Sequence, residues 1–204
     1  LAPGPGLRMT PGSSPDLRAT TFQNNAVQGV AIVTGTLDSE QRWALLGESE
    51  EAQIPRILEG EVVVGADSFL TIDAGTIIKA GAAGKLTVHG HLYAAGLADQ
   101  EVVFTSLHDD TLGGDTDGAL LSAAAGDWKG IEIAPGGFVR FASVGIYYAE
   151  IGLMALGEQL PVVETGRVHV AYSKQPLTCA ARVQIPATFV FENNEVQVTR
   201  CPTR

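Results

Sequence analysis

The residues best suited to chemistry lie in one acidic, glycine-rich stretch, 106–127. It carries carboxylates at Asp109, Asp110, Asp115, Asp117 and Asp127, with glycines at 113, 114 and 118 that let the backbone curl around them. The first four aspartates are the candidate ligands. Oxygen ligands at this spacing are what Ca²⁺ binds, and extracellular calcium would fill even weak sites. Asp–Gly sequences also form ordinary solvated turns. The stretch therefore predicts a protruding loop, with calcium as its candidate cofactor.

Three histidines could bind a transition metal. His89 and His91 flank a glycine and point the same way along a strand, and His108 stands next to Asp109. Imidazole and carboxylate ligands suit zinc or copper. The alternation of the strand, however, directs His89 and His91 towards solvent, which favours single exposed side chains over a metal site.

Short apolar stretches must position these residues. From Glu61 onward they are four to six residues long, rich in Val, Ile, Thr and aromatics, and separated by Gly, Asp or Pro about every eight residues. Such stretches are typical of strands, and no helical segments intervene. They begin with EVVV (61–64), FLTI (69–72) and TIIKA (76–80) and continue to EVQV (195–198).

The spacing of equivalent stretches predicts a solenoid. Val63 to Leu86 spans 23 residues, Leu70 to Leu92 spans 22, and Ile77 to Val102 spans 25. Three successive strands thus reappear in order after a nearly constant interval, as they do in stacked coils. The prediction is an all-β parallel β-helix with three short strands per coil of about 22–25 residues.

A family resemblance accompanies this periodicity. The run FLTIDAGTIIKAGAAGKLTVHGHLYAAGLADQEVVFTSLHDD, followed by GGDTDG and GDWKGIEI, resembles secreted bacterial right-handed parallel β-helix proteins of pectin-lyase-like architecture. The similarity is clearest from Glu61 to Gly152. It implies a right-handed coil and an extracellular location. Some such proteins are surface or structural modules and others are polysaccharide lyases or hydrolases, so the motifs predict fold better than chemistry.

The resemblance also allows a test of catalytic motifs. Asp109 and Asp110 resemble the paired aspartates of polygalacturonases. The NTD, GHG and RIK motifs of those enzymes are missing, and the HGH at 89–91 precedes the aspartates instead of following them. The sequence therefore identifies no catalytic residue, and an enzyme is the less favoured interpretation.

The two cysteines stand one coil apart. Cys179 and Cys201 are separated by 22 residues. Equivalent residues of neighbouring coils lie about 4.8 Å apart, which is within the Cα separation of a disulfide, roughly 4.4 to 6.8 Å. We predict a disulfide that holds the final coil; two buried thiols are the alternative.

Composition limits the domains and partners. Thirteen basic and twenty-three acidic residues give a net charge of −10, which disfavours nucleic acid. No apolar run approaches the roughly 20 residues that cross a bilayer, so no membrane insertion is expected. Residues 1–17, rich in Pro, Gly and Ser, predict an irregular lead-in or linker, and 18–204 a single β-helix domain.

Two distant segments of the sequence resemble each other, and this internal echo bears on how the protein assembles. TTFQNNAVQGV at 20–30 resembles TFVFENNEVQV at 188–198, with an offset of 169 residues, or about seven coils. One explanation of the similarity is that the chain is one period of a longer tandem array. The other is that FxNN is simply a motif that recurs at coil corners.

Together these features predict an extracellular structural or adhesive module. It would continue into neighbouring β-helix sequence or stack head to tail on itself as a filament. One alternative is a carbohydrate-binding module, which requires an exposed aromatic row. A polysaccharide lyase or hydrolase is the other, and it requires converging Asp, Arg or Lys side chains. The aromatic candidates are Trp43, Trp128, Tyr93, Tyr147 and Tyr148.

Overall fold

The protein is a parallel β-solenoid. A computed structural model describes residues 2–13, 15, 17, 25–46, 54–180, 184–198 and 201. These residues form seventeen strands and no helix, and thus no helix long and apolar enough to span a membrane. The strands pair in parallel and stack into about 7 turns, which confirms the predicted solenoid.

Each coil contributes strands to three faces. Face A contains β1 (Ala2–Met9), β2 (Asn25–Ile32), β5 (Arg56–Leu58), β8 (Ile77–Ala80), β11 (Val102–Ser106) and β17 (Phe189–Glu192). Face B contains β3 (Gly35–Leu37), β6 (Glu61–Val64), β9 (Lys85–Val88), β12 (Gly130–Ile133), β14 (Ile151–Ala155) and β16 (Gln175–Cys179). Face C contains β4 (Gln41–Trp43), β7 (Phe69–Asp73) and β10 (His91–Ala95). The long strands β13 (Phe138–Tyr147) and β15 (Val162–Ala171) run from face C into face A.

The core consists of aliphatic rows that run along the stack. Alternate residues of each strand point inward, so equivalent inward residues of successive coils lie on one another. The row on face B is fully or almost fully buried, and burial of each such side chain contributes roughly 1.5–3 kcal/mol. Its members are Val62, Leu86, Ile131, Leu153 and Leu177.

Two of the three predicted offsets are wrong by one residue. Consecutive β-branched residues hide which residue of a strand points inward, and a slip of one residue exchanges the two sides of a strand. Val63 and Ile77 were therefore the wrong choices within VVV and II, since Val62 and Ile78 are the residues that point into the core. The observed partners are Leu70–Leu92, as predicted, then Val62–Leu86 and Ile77–Val103.

The amino-terminal segment is more regular than predicted. Residues 1–17 were expected to be irregular, but Ala2–Met9 forms β1 and pairs with β2. The pairing shifts register on both sides of Pro5. Proline is tolerated here because, among the described strands, β1 lies at the edge of its sheet, where one side of the strand needs no donors.

The corner that follows face A has left-handed backbone in three successive coils. Its residues are Tyr148 (φ 61°), Tyr172 (φ 55°) and Asn193 (φ 52°). The next residue, Asn194, accepts a hydrogen bond from the Ser173 N–H (2.9 Å) and donates one to the Val170 carbonyl (2.9 Å). The asparagines at 193–194 therefore form a coil corner, while residues 20–24 of the echo lie outside the described part. Head-to-tail stacking stays a prediction.

Candidate functional site

The acidic loop between β11 and β12 folds back on the solenoid. Its first half, 107–118, lies on the outer side of face A: Gly113 packs on Ile77, and the Gln28 N–H donates to the Thr116 carbonyl (2.7 Å). The second half carries the fully exposed Leu120. The predicted protrusion is therefore wrong for the first half, because the apolar outer surface of face A binds it.

A buried lysine holds this loop. Lys79 points outward from β8, yet its exposed fraction is 0% because the loop covers it. Its Nζ donates to the carbonyl oxygens of Asp109 (2.9 Å) and Gly114 (2.6 Å). Burial lowers the pKa of Lys79, and the surrounding aspartates oppose that effect. Sequence reasoning missed this residue; the signal was a lysine at an outward strand position one coil before an acidic insertion.

Asp109 is a structural residue of the loop. Its side chain is buried, and Oδ2 accepts a hydrogen bond from the Thr105 hydroxyl (2.6 Å). Oδ1 accepts from the N–H (3.1 Å) and the hydroxyl (2.5 Å) of Thr111. Asp110 is exposed. The two adjacent aspartates thus occupy different environments and do not form a pair across a groove.

The other three predicted calcium ligands lie together. Carboxylate oxygens of Asp110, Asp115 and Asp117 are within 4.8 Å of one another. Asp115 accepts from the Gly118 N–H (2.7 Å), and one Asp117 oxygen lies 2.6 Å from His108 Nδ1. These contacts fix the positions of two of the three carboxylates. The arrangement is geometrically compatible with a cation and equally with a hydrogen-bonded acidic turn.

Calcium binding by this cluster remains a prediction. We expect a dissociation constant of about 10⁻⁴–10⁻³ M by titration calorimetry, because only part of the oxygen shell comes from side chains. The variant D115N/D117N keeps the shape of both side chains and should lose the binding heat. D99N, which changes an exposed aspartate outside the loop, should keep it. Equal heats in wild type and D115N/D117N would contradict a site here.

The three histidines do not meet. His108 lies in the loop over face A, His91 begins β10 on face C, and His89 is exposed in the turn that precedes it. The hypothesis of a shared zinc or copper site is therefore wrong, because residues close in sequence were carried to different faces of the coil.

Face C presents an exposed aromatic row. Phe69, His91 and Phe138 occupy equivalent positions on three neighbouring strands. Ring centroids are 5.6 Å apart from Phe69 to His91 and 5.8 Å from His91 to Phe138. The two phenylalanines are 37% and 38% exposed. Sequence reasoning overlooked both, and only the correct strand register would have placed them in one row.

The aromatic candidates named from sequence behave differently. Trp43 and Trp128 are buried in the core, and Trp128 stacks on Phe104 with a centroid distance of 6.5 Å, consistent with packing where the solenoid resumes after the loop. Tyr147 and Tyr148 are half-buried. Of the named set, Tyr93 is the one that lies beside the aromatic row.

The groups beside the row are electrically balanced. The Arg140 guanidinium lies 5.6 Å from the Tyr93 ring centroid and forms an ion pair with Glu164. Arg42 Nε lies 2.9 Å from both carboxylate oxygens of Asp73. Both arginines are thus neutralised, so face C is close to neutral although the chain as a whole carries −10.

Comparisons with known proteins do not extend this description. No family model, no curated protein and no solved structure matches the chain. Of the resemblance seen in the sequence, the structure supports the parallel β-solenoid, and the acidic loop and face C are its candidate functional surfaces.

Proposed function

We propose that this protein is an extracellular adhesive β-solenoid module that binds its ligand through face C. The observation that carries the proposal is the exposed row of Phe69, His91 and Phe138. Apolar rings aligned on a surface mark an interaction site more often than isolated apolar residues do. A module that served only as a spacer would need no such row.

The row is preorganised for binding. In each strand the residue that follows the ring is buried in the core, as Leu70 and Leu92 are. The core therefore holds the backbone that carries the rings in place. Rings held in this way lose little conformational entropy when a ligand arrives. A ligand that contacts three coils at once would therefore gain affinity from all of them.

An extracellular location is supported by the disulfide between Cys179 and Cys201, whose Cα atoms are 5.6 Å apart. Disulfides persist mainly in oxidising compartments. The resemblance to secreted β-helix proteins points the same way. This part of the proposal is independent of face C.

The second candidate function is a carbohydrate-binding module, in which the ligand of face C is a carbohydrate. Aromatic rings stack on the apolar faces of sugar rings, and the paired groups beside the row offer hydrogen-bond donors and acceptors. Because both arginines are already paired with carboxylates, a neutral polysaccharide fits this surface better than an acidic one. An adhesive function with a protein ligand would use the same rings.

The test is binding by the variant F69A/F138A. Wild-type protein should be retained by at least one member of a panel of insoluble neutral polysaccharides and cell surfaces. The double variant should bind at least about tenfold more weakly, because truncating an interface residue that matters for binding costs more than about 1 kcal/mol. Affinity is measured by depletion from solution at increasing ligand.

The matched control is L97A, which removes an exposed apolar side chain (55% exposed) outside the row. It should bind like wild type. If F69A/F138A binds as tightly as wild type, face C is not the ligand surface. Turnover of any polysaccharide would instead favour the lyase or hydrolase alternative.

A further inference from the structure

A charged side chain lies inside the solenoid. Arg56 belongs to an inward row of face A, between Val30 and Ile78, and is 5% exposed. Its Nε and Nη1 atoms lack a hydrogen-bond partner among the described residues. Burial lowers the pKa of Arg56 to about 10, so the side chain is still charged at neutral pH. A buried cation without a counter-charge is strongly unfavourable.

A second unsatisfied donor belongs to the aromatic ring over which the Arg56 guanidinium lies. Trp43, on face C, is 1% exposed, and its indole Nε1 also has no partner in the described part of the chain. The Arg56 Cζ is 5.8 Å from the centroid of the Trp43 ring. Buried polar groups in folded proteins are almost always paired. These unpaired donors come from two different faces and meet no acceptor among the described residues, so a bound acceptor would satisfy them.

Asp73 does not fill this role. Asp73 is the acidic group whose charge acts on Arg56. Both of its oxygens, however, accept hydrogen bonds from Arg42 Nε on the outer surface of face C. Asp73 therefore raises the pKa of Arg56 from a distance, and it leaves the buried N–H groups without an acceptor.

We propose that Arg56 and Trp43 form an internal binding site for a small monovalent anion, with chloride as the ligand. A single anion accepts hydrogen bonds from the guanidinium and the indole and neutralises the buried charge, whereas a water molecule provides no charge. The aliphatic neighbours Val30 and Ile78 offer no donors, so the oxygens of a polyatomic anion such as phosphate would stay unsatisfied. The site is separate from face C and does not depend on the proposed adhesive function.

The experiment is thermal unfolding of the whole chain at constant ionic strength, with chloride progressively replaced by gluconate. An anion that binds only the folded state raises the unfolding temperature with the logarithm of its concentration. We expect this rise for wild type and for K129M, which removes an exposed cation. R56M, which replaces the guanidinium by an apolar side chain of similar length, should lose the chloride dependence.

A crystal grown in bromide provides a second, independent measurement. The expected result is an anomalous scattering peak between the Arg56 guanidinium and the Trp43 indole, which does not require R56M to fold. The proposal is overturned if unfolding of wild type is insensitive to chloride and no bromide peak appears at this position.

Discussion

Replacing both cysteines, in the variant C179A/C201A, is expected to lower the free energy of unfolding by about 3 kcal/mol. The bond closes a segment of 22 residues, and a cross-link of this length removes that much chain entropy from the unfolded state. The loss should be felt first in the last coil, because each coil of a solenoid is stabilised mainly by its neighbours. β17 pairs with β15 alone among the described strands.

Chemical denaturation measures the total effect, and hydrogen exchange at Phe189–Glu192 reports the last coil directly. Wild type treated with a reductant should behave like C179A/C201A, and the variant should not respond to the reductant. Equal stability of variant and oxidised wild type would contradict a stabilising disulfide. An intact mass that corresponds to two free thiols in the native protein would show that the bond is not formed.

Replacing Lys79 by methionine should destabilise the protein by about 3 kcal/mol and release the first half of the acidic loop. The ammonium donates two hydrogen bonds to backbone carbonyls, and hydrogen bonds from charged groups contribute about 1.5–3 kcal/mol each. Methionine keeps most of the side-chain volume but leaves both carbonyls without this donor. It also removes the positive charge from the middle of several aspartates.

Limited proteolysis and hydrogen exchange over 107–118 test this directly, and both should increase in K79M. The matched control is K129M, which removes an exposed lysine paired with Glu150 (2.7 Å) and should cost no more than about 1 kcal/mol. A K79M protein as stable as wild type, with an equally protected loop, would mean that the desolvation of the ammonium offsets its hydrogen bonds.

The solenoid was predictable because its signal repeats. Regular spacing of apolar stretches reports the length of a coil, and the single offset from Leu70 to Leu92 was correct. The exact register was not predictable where valines are consecutive, as at Val62–Val64, because either parity satisfies the pattern. β1 was missed because Pro and Gly argue against strands in general, while an edge strand tolerates them.

The two surfaces were harder to predict than the fold. Three of the four acidic residues lie together as their spacing suggested, yet Asp109 turned inward to Thr105 and Thr111. The burial of Asp109 depends on which side of β11 the loop covers. The sequence around Asp109 carries no information about the side on which the loop packs. The aromatic row joins residues 22 and 47 positions apart, so an error of one residue in register would have dispersed it.

The acidic loop also shows how such a molecule can acquire new parts. It inserts more than twenty residues between β11 and β12, yet Ile131 still stacks on Leu86 as if the coil were uninterrupted. An insertion at a corner leaves every ladder in register, whereas one extra residue inside a strand would turn its apolar side chains outward. Corners are therefore the positions at which descendants of this chain could gain or lose segments freely, whereas we expect the strands to keep their length.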